Sequence, residues 1–456
     1  MPTTLVLASP PTLVRRRLLS AAVVSILAVS GCATPGGSLT TNPVTPGALR
    51  SQSGGETILH SFGNSNDGAN PEGELIADAS GTLYGTARGG GTTTYGTVFE
   101  LVPSASGYAE KTLYTFKGGK DGIGPIGALV ADASGNLFGV TTIGGGLAGN
   151  GTAFELTPSG SGYTKRTIYA FEGGSDGRMP IDGLVIDQSG SLYGVTYAGG
   201  KAGDGIAFKL SPNKKSNYRE TVLHSFTGGS DGSNPFSSLA MDASGALYGV
   251  TYGGGAVNAG VVYELKPQGN SYTETVPYSF KGAPDGAIPK APILIATDGS
   301  LYGTTYAGGS SSGCNASGFS GCGTVFQLTP SAKRNTAFKE QIVYSFQGGT
   351  DGVGPQAGLI ADSSGALYST TIYGGKAGLG TVYKLVQAGK KYRKTILHEF
   401  GSSGDGILPA AGLLIQPNAL LGTTYDGGAY NQGTAFAVET TTSFPNKSRR
   451  YDGNHN

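Results

Sequence analysis

The chain has 456 residues and is close to neutral, with 31 Lys and Arg against 30 Asp and Glu and a formal charge of +1. Gly (80) and Pro (23) make up more than a fifth of it, against roughly 12 % in ordinary proteins, yet 24 Tyr and 17 Phe are more aromatic rings than a disordered chain carries. Glycine's cost of about 1 kcal/mol per helix-interior position excludes a helical bundle, and the balanced charge excludes a basic nucleic-acid surface or a polybasic membrane patch.

The N-terminus reads as an address. Arg15, Arg16 and Arg17 precede the apolar run Leu18–Ser30, which has signal-peptide length and is too short for a comfortable membrane span. The run ends Leu27-Ala28-Val29-Ser30-Gly31-Cys32, which resembles a bacterial lipobox: an aliphatic residue, two small ones, then the Cys whose thiol takes a thioether-linked lipid. Residues 1–31 are expected to be a lipoprotein signal peptide and Cys32 the lipidation site, the alternative being a plain secretory signal with an incidental Cys. Two or more acyl chains hold a protein on a membrane stably. Ala33, rather than Asp, follows the Cys, which in a Gram-negative cell is the context of outer-membrane sorting. Residues 32–54 are rich in Gly, Ser, Thr and Pro and read as a flexible tether.

From residue 55 to 440 the chain repeats itself. A Phe before a Gly-rich loop and an Asp-Gly pair recurs at Phe62, Phe116, Phe171, Phe226, Phe280, Phe346 and Phe400, at spacings of 54, 55, 55, 54, 66 and 54. A Pro follows each Asp four residues on, from Pro71 to Pro409. Within a unit the pattern alternates with period two. After Phe116, the segments 127–132, 136–142, 151–157 and 163–171 read as four strands separated by turns. Seven such units predict an all-β fold, a seven-bladed β-propeller with four antiparallel strands per blade. If the strand before the Asp-x-x-Gly turn is innermost, as in the kelch and regulator-type propellers that this pattern resembles, Glu56–Phe62 is an outer strand that arrives before any inner one, and the last unit lacks its own. It is therefore expected to complete the seventh blade and close the ring. Gly85, Gly139, Gly194, Gly249, Gly303 and Gly422, each in a strand, are expected to mark close backbone approach or bulges. The aromatics at Phe99, Phe154, Phe208, Tyr263, Phe326, Tyr383 and Phe436 are expected to fill the gaps between blades. Residues 441–456 read as a frayed tail.

The units read Leu-Tyr-Gly-(Thr/Val)-Thr-x-x-Gly-Gly and then Gly-Thr-Val-Phe-x-Leu, as at Leu301–Gly309 and Gly323–Leu328. Over residues 56–438 this resembles the GloVer tandem-repeat proteins of bacteria, a "choice-of-anchor" group with varied surface anchors. The resemblance implies a propeller at the cell surface or in the envelope. It implies no catalytic activity, and no catalytic residue is carried over from it.

Few residues suggest chemistry. The remaining cysteines, Cys314 and Cys322, flank a Gly/Ser-rich insert that accounts for the one long spacing, and a disulfide is expected there in an oxidising compartment. His60, His224 and His398 stand two residues before the repeat Phe, where the other units have Tyr114, Tyr169, Tyr278 and Tyr344; an alternating His/Tyr slot is a packing position. No metal or cofactor is expected, since no His-rich cluster or HExxH motif exists. The matches to GxSxG at Gly309–Gly313 and to GxGxxG at Gly144–Gly149 lack the following helix that either motif needs. Asp67, Asp121, Asp176, Asp231, Asp285, Asp351 and Asp405 lie on one face and are candidates for binding cations or sugars; the simpler reading is that they make their turns. Asp78, Asp132, Asp187, Asp242 and Asp362 read as turn residues in the same way. Phe319, at the tip of the insert, is a candidate contact residue.

The expected function is that of a lipid-anchored envelope propeller, extracytoplasmic, monomeric and non-catalytic, that binds an unknown protein or glycan and no nucleic acid. The alternative is an extracytoplasmic lyase or glycoside hydrolase acting on polysaccharide, for which the missing Trp is a handicap. A quinoprotein dehydrogenase is weaker still, since its Trp docking motifs are absent.

Overall fold

Alternating apolar and polar residues make each repeat unit four short antiparallel strands. In the second unit these are Ile123–Ala131, Leu137–Ile143, Thr152–Ser159 and Gly162–Ala170, hydrogen-bonded in that order. The computed structural model describes residues 55–440 apart from 64–65, 106, 147–148, 214–217, 270, 332–337 and 402–403. The expected signal peptide, the tether up to residue 54 and the tail lie outside the described residues. Seven four-stranded blades form the propeller, as the repeat count predicts. The first strand of the second unit starts at Ile123, before the apolar run that marks it in the sequence. Its register slips between Ile126 and Val130. In the first unit the same slip divides the strand into Gly68–Pro71 and Ile76–Ala77.

Ring closure follows the expectation. Glu56–Ser61 pairs antiparallel with Thr434–Glu439, Glu56 opposite Val438 and Ser61 opposite Thr434. It thus supplies the outer strand of the seventh blade, and no sheet edge is left between first and last units.

Adjacent blades meet through rings. The Phe after each outer strand packs on the third-strand aromatic of the next blade, from Phe62 on Phe99 at 4.8 Å to Phe346 on Tyr383 at 5.3 Å. The step recurs at Phe116–Phe154, Phe171–Phe208, Phe226–Tyr263, Phe280–Phe326 and Phe400–Phe436. All fourteen rings are buried to 1 % exposure or less. Tilted and edge-on ring pairs add about 0.5–1.5 kcal/mol beyond their burial.

The strand glycines serve these rings, which corrects the expectation of backbone approach or bulges. Gly85 stands directly opposite Phe99 across the sheet, and a Cβ there would lie 2.5 Å from the Phe99 ring. Gly139, Gly194, Gly249, Gly303 and Gly422 make the same room. Close backbone approach occurs instead on the first strands, where a Cβ on Gly127 would fall 2.2 Å from the Asp182 carbonyl carbon.

The repeat Pro is a second contact between blades. A Cβ on Gly96 would meet Pro125 of the next blade at 2.5 Å, and Gly433 would meet Pro71 at 2.6 Å. The residue before each Pro is left-handed, including Met179 (φ 56°), Ile288 (φ 58°) and Leu408 (φ 59°). For a β-branched residue such as Ile288 this conformation is strained. In each case its N–H reaches back to a carbonyl of the preceding blade, as Ile288 does to Ala259 at 2.9 Å and Leu408 to Leu379 at 2.9 Å.

Removing residues 33–62 is expected to lower the thermal midpoint, followed by circular dichroism, far below that of the mature chain, whereas removing residues 33–54 alone leaves it in place. Equal midpoints for both truncations would show that the ring closes without the N-terminal strand. Phe226→Ala, which leaves closure intact, is expected to cost about 3–5 kcal/mol.

Candidate functional site

All seven loop carboxylates hold their own loops. Each accepts the backbone N–H four residues upstream: Asp67 from Gly63 at 2.9 Å, Asp121 from Lys117 at 2.8 Å, Asp176 from Glu172 at 2.8 Å and Asp231 from Thr227 at 2.9 Å. Asp285, Asp351 and Asp405 accept from Lys281, Gln347 and Gly401. Each also meets the His/Tyr slot seven residues upstream. Tyr114, Tyr169, Tyr278 and Tyr344 donate their hydroxyls to Asp121, Asp176, Asp285 and Asp351. His60, His224 and His398 bring Nε2 to within 2.9, 3.1 and 3.3 Å of Asp67, Asp231 and Asp405. The packing slot is thus the hydrogen-bond partner of the Asp-Gly loop. The second acid set makes the inner hairpin turns, as Asp78 does by accepting from the N–H groups of Ser80 and Thr82.

A third residue completes each of these joints. Six positions before the repeat Phe, the next outer strand presents Glu56, Glu110, Lys165, Glu220, Glu274, Glu340 or Lys394 to the loop Asp. Lys165 and Lys394 bridge Asp121 and Asp351 at 2.8 and 2.9 Å, and both of those joints carry Tyr. The three His joints all carry Glu, and neither Lys joint carries His. Where Tyr meets Glu, burial, with Asp176 nearby, pushes the Glu220 carboxyl up to about 7, and burial with Asp285 does the same to Glu340 against the opposing charge of Lys281. Glu274 is also lifted to about 7, by burial and Asp231.

The axis holds charges that break the sevenfold pattern. The position after the repeat Pro is Ile126 or Ile181 in two blades but Glu72 in the first and Lys290 in the fifth. Glu72 is 1 % exposed and pairs with Arg88 at 3.1 Å; burial outweighs Arg88 and raises its carboxyl to about 7. Asp182 is fully buried and accepts from the N–H groups of Ser238 at 2.7 Å and Gly183 at 2.8 Å, yet burial still lifts it to about 7. Burial, and then the charge of Asp182, raises Glu74 as well. Lys290 lies over the Tyr306 ring at 3.8 Å and near those of Phe236 and Tyr252; burial lowers its ammonium to about 8. Reading one repeat at a time hides these residues. They stand out when the seven units are stacked at the Pro, because each replaces an apolar or small residue.

The insert of the fifth blade forms a hairpin in which Asn315–Ala316 pairs with Phe319–Ser320 and Cys314 is bonded to Cys322. Phe319 is partly buried and packs against the Asp285 loop, 3.1 Å from where a Cβ on Gly282 would sit. The Tyr252 hydroxyl meets Ser317 Oγ at 2.9 Å, which ties the hairpin to the fourth blade. A shallow hollow of about 540 Å³ opens beside the fourth blade, lined in part by Asp231, Glu274 and Ser279. Cys32 lies outside the described residues.

A sequence profile described as the Gloeobacter/Verrucomicrobia repeat matches residues 44–241, 144–317 and 312–455. The chain belongs to the Gloeobacter/Verrucomicrobia repeat family. No curated protein matches it in sequence. Among solved structures, it is similar to PorZ, a surface component of the type-IX secretion system of Porphyromonas gingivalis, at 16 % identity and a TM-score of 0.48 over 86 % of this chain and 50 % of PorZ. The match therefore spans half the length of PorZ. It is also similar to a putative 6-phosphogluconolactonase from Bacteroides fragilis, at 14 % identity and a TM-score of 0.48 over 78 % of this chain and 92 % of that one. Neither likeness assigns an activity to this repeat protein.

Its buried and half-buried acids set the pH dependence. Glu72, Glu220, Glu274 and Glu340 titrate near 4.5 when unfolded and about 7 when folded, so the folded state holds their protons more tightly. The stability they contribute is complete below about pH 4.5 and is lost as pH rises through 7. Asp187, Asp231 and Asp362 are held below 3.8 by hydrogen bonds that outweigh burial, and their contribution is lost in stronger acid. The thermal midpoint of this repeat protein is therefore expected to be higher at pH 5 than at pH 8. Equal midpoints, or the reverse order, would contradict the assignment.

Proposed function

We propose that this repeat protein is an extracytoplasmic scaffold, held to a bacterial membrane through lipid on Cys32, that binds a protein or glycan without catalysis. The observation that carries the reading is where its polar groups sit. The seven loop carboxylates are engaged by Tyr or His and by backbone N–H groups. The axial acids Glu74 and Asp182 are 2 % and 0 % exposed. Such groups build a rigid ring and offer little to a passing substrate. The lipobox at Leu27–Cys32 supports membrane attachment, and the Cys314–Cys322 bond suits an oxidising compartment. The partner's footprint is the loop face, where a rigid scaffold presents its longest segment, the disulfide-closed hairpin.

The alternative, an enzyme acting on polysaccharide, rests on one observation: Glu74 and Asp182 crowd two raised carboxyls into one sector of the axis. Paired carboxylates are what glycoside hydrolysis needs, but these are closed off from a polymer.

Expressed in a bacterial host fed a labelled fatty acid, the full chain is expected to take up label and sediment with membranes, and Cys32→Ala to do neither. Unlabelled wild-type protein would dismiss the anchor. On a glycan array and in envelope pull-downs, the soluble domain is expected to retain a partner intact. Cleavage of a polysaccharide that Asp182→Asn abolishes would replace the scaffold with the enzyme.

A further inference from the structure

Of the three joints that combine His, Asp and Glu, the one at ring closure is built differently. Glu56 comes from the N-terminal strand, His398 from the outer strand of the sixth blade, Lys391–Glu399, and Asp405 from the loop that leads into the seventh. Their side chains are 8 %, 8 % and 1 % exposed. In the other two joints the His sits at ordinary hydrogen-bond distance from its Asp, 2.9 Å for His60–Asp67 and 3.1 Å for His224–Asp231. At closure His398 Nε2 stands back, 3.3 Å from Asp405 Oδ2 and 3.5 Å from Glu56 Oε2. One nitrogen thus faces two carboxyl groups at once, and the Glu56 carboxyl is itself hydrogen-bonded to Asp405. Among the described residues this is the one group of three His, Cys, Asp or Glu side chains whose donor atoms all lie within 4.8 Å of one another.

These separations have a chemical reading. Two ligands about 2.0–2.1 Å from a tetrahedral zinc stand about 3.3–3.4 Å apart. The two His–carboxylate distances at closure match that edge more closely than they match a hydrogen bond. A separate observation points the same way: Glu56 Oε1 is buried and has no hydrogen-bond partner. An orphaned buried carboxylate oxygen is costly, and a cation beside Oε2 would take it as a second contact.

We propose that Glu56, His398 and Asp405 form a site for a divalent transition-metal ion of the zinc class, with Nε2, one oxygen of Asp405 and the Glu56 carboxylate as protein ligands. The three ligands come from the N-terminal strand, from the sixth blade and from the loop that leads into the seventh. The ion therefore clamps the last pairing of the ring, and binding is coupled to closure. The same residue types at the other two His joints lack this spacing and hold a plain His–Asp hydrogen bond instead.

The repeat supplies its own control. Four other joints carry Tyr in the His398 slot, so His398→Tyr keeps a hydrogen bond to Asp405 while removing the nitrogen ligand, and His224→Tyr makes the same change at a joint without the site. The mature protein, stripped with a chelator and titrated with Zn²⁺ by calorimetry and thermal melts, is expected to bind one ion and to melt at higher temperature. His224→Tyr is expected to do both and His398→Tyr neither. Glu56→Gln, isosteric and lacking the charge, provides a second variant should His398→Tyr misfold, and is expected to weaken binding at least tenfold. Absence of a stoichiometric site in the wild type overturns the proposal. So does undiminished binding and stabilisation in a folded His398→Tyr or Glu56→Gln chain, since the ion would then sit elsewhere.

Discussion

Everything in this ring depends on the step between one blade and the next. A four-stranded sheet has two apolar faces and no means of covering either, so a blade is stable only against its neighbours. The chain meets this need with the Phe after each outer strand, which leaves its own sheet and packs on the third-strand ring of the following blade. The glycine opposite that ring is the complementary half of the contact: a side chain at Gly85 or Gly422 would occupy the volume that the ring needs. Phe and Gly, some two dozen residues apart in the chain as Phe62 and Gly85 are, are two sides of one packing decision. The high glycine content is thereby a consequence of the aromatic content.

The Pro contact fixes the angle that the rings leave free. A Pro on the start of each first strand rests on a glycine of the preceding blade, and the left-handed residue before it points its N–H at that same blade. At Asn70 and Gly124 this conformation comes at little cost. At Ile288 it does not, and the residue persists there because its side chain is buried in the cluster formed by the fourth and fifth blades. Packing overrides local preference where the joint demands it.

The architecture was legible because its determinants recur. Phe, Asp-Gly and Pro return at near-constant spacing, and closure by Glu56–Ser61 followed from counting strands at the two ends. The role of the strand glycines was not legible, since a glycine in a strand looks the same whether it admits a backbone or a ring. The joint residues six places before the Phe were missed for another reason. Glu and Lys alternate there with no pattern of their own, and the logic shows only when each is read with the His or Tyr of the preceding unit: Lys165 and Lys394 stand with Tyr, Glu56, Glu110 and Glu274 with His. The axial Glu72, Asp182 and Lys290 were hidden by the regularity around them.

That regularity also explains where individuality is allowed. Inter-blade packing uses apolar atoms and backbone, so it tolerates any polar residue that does not enter it. The polar positions left over are the joint rim, the axis and the loops, and the seven units differ most there. Second-strand residues illustrate the limit: Thr86, Thr304, Thr370 and Thr423 each donate to a first-strand carbonyl of the next blade, whereas Val140, Val195 and Val250 fill the same space without a bond. A hydroxyl and a methyl of equal size are interchangeable at the ring's interior as long as the neighbouring carbonyl finds another donor or stays accessible. Closure is the one joint where this freedom narrows. Its outer strand is not held to its blade by the preceding turn of chain, so the ladder with Thr434–Glu439, the ring of Phe62 and the contacts of Glu56 together replace the covalent connection that every other blade possesses.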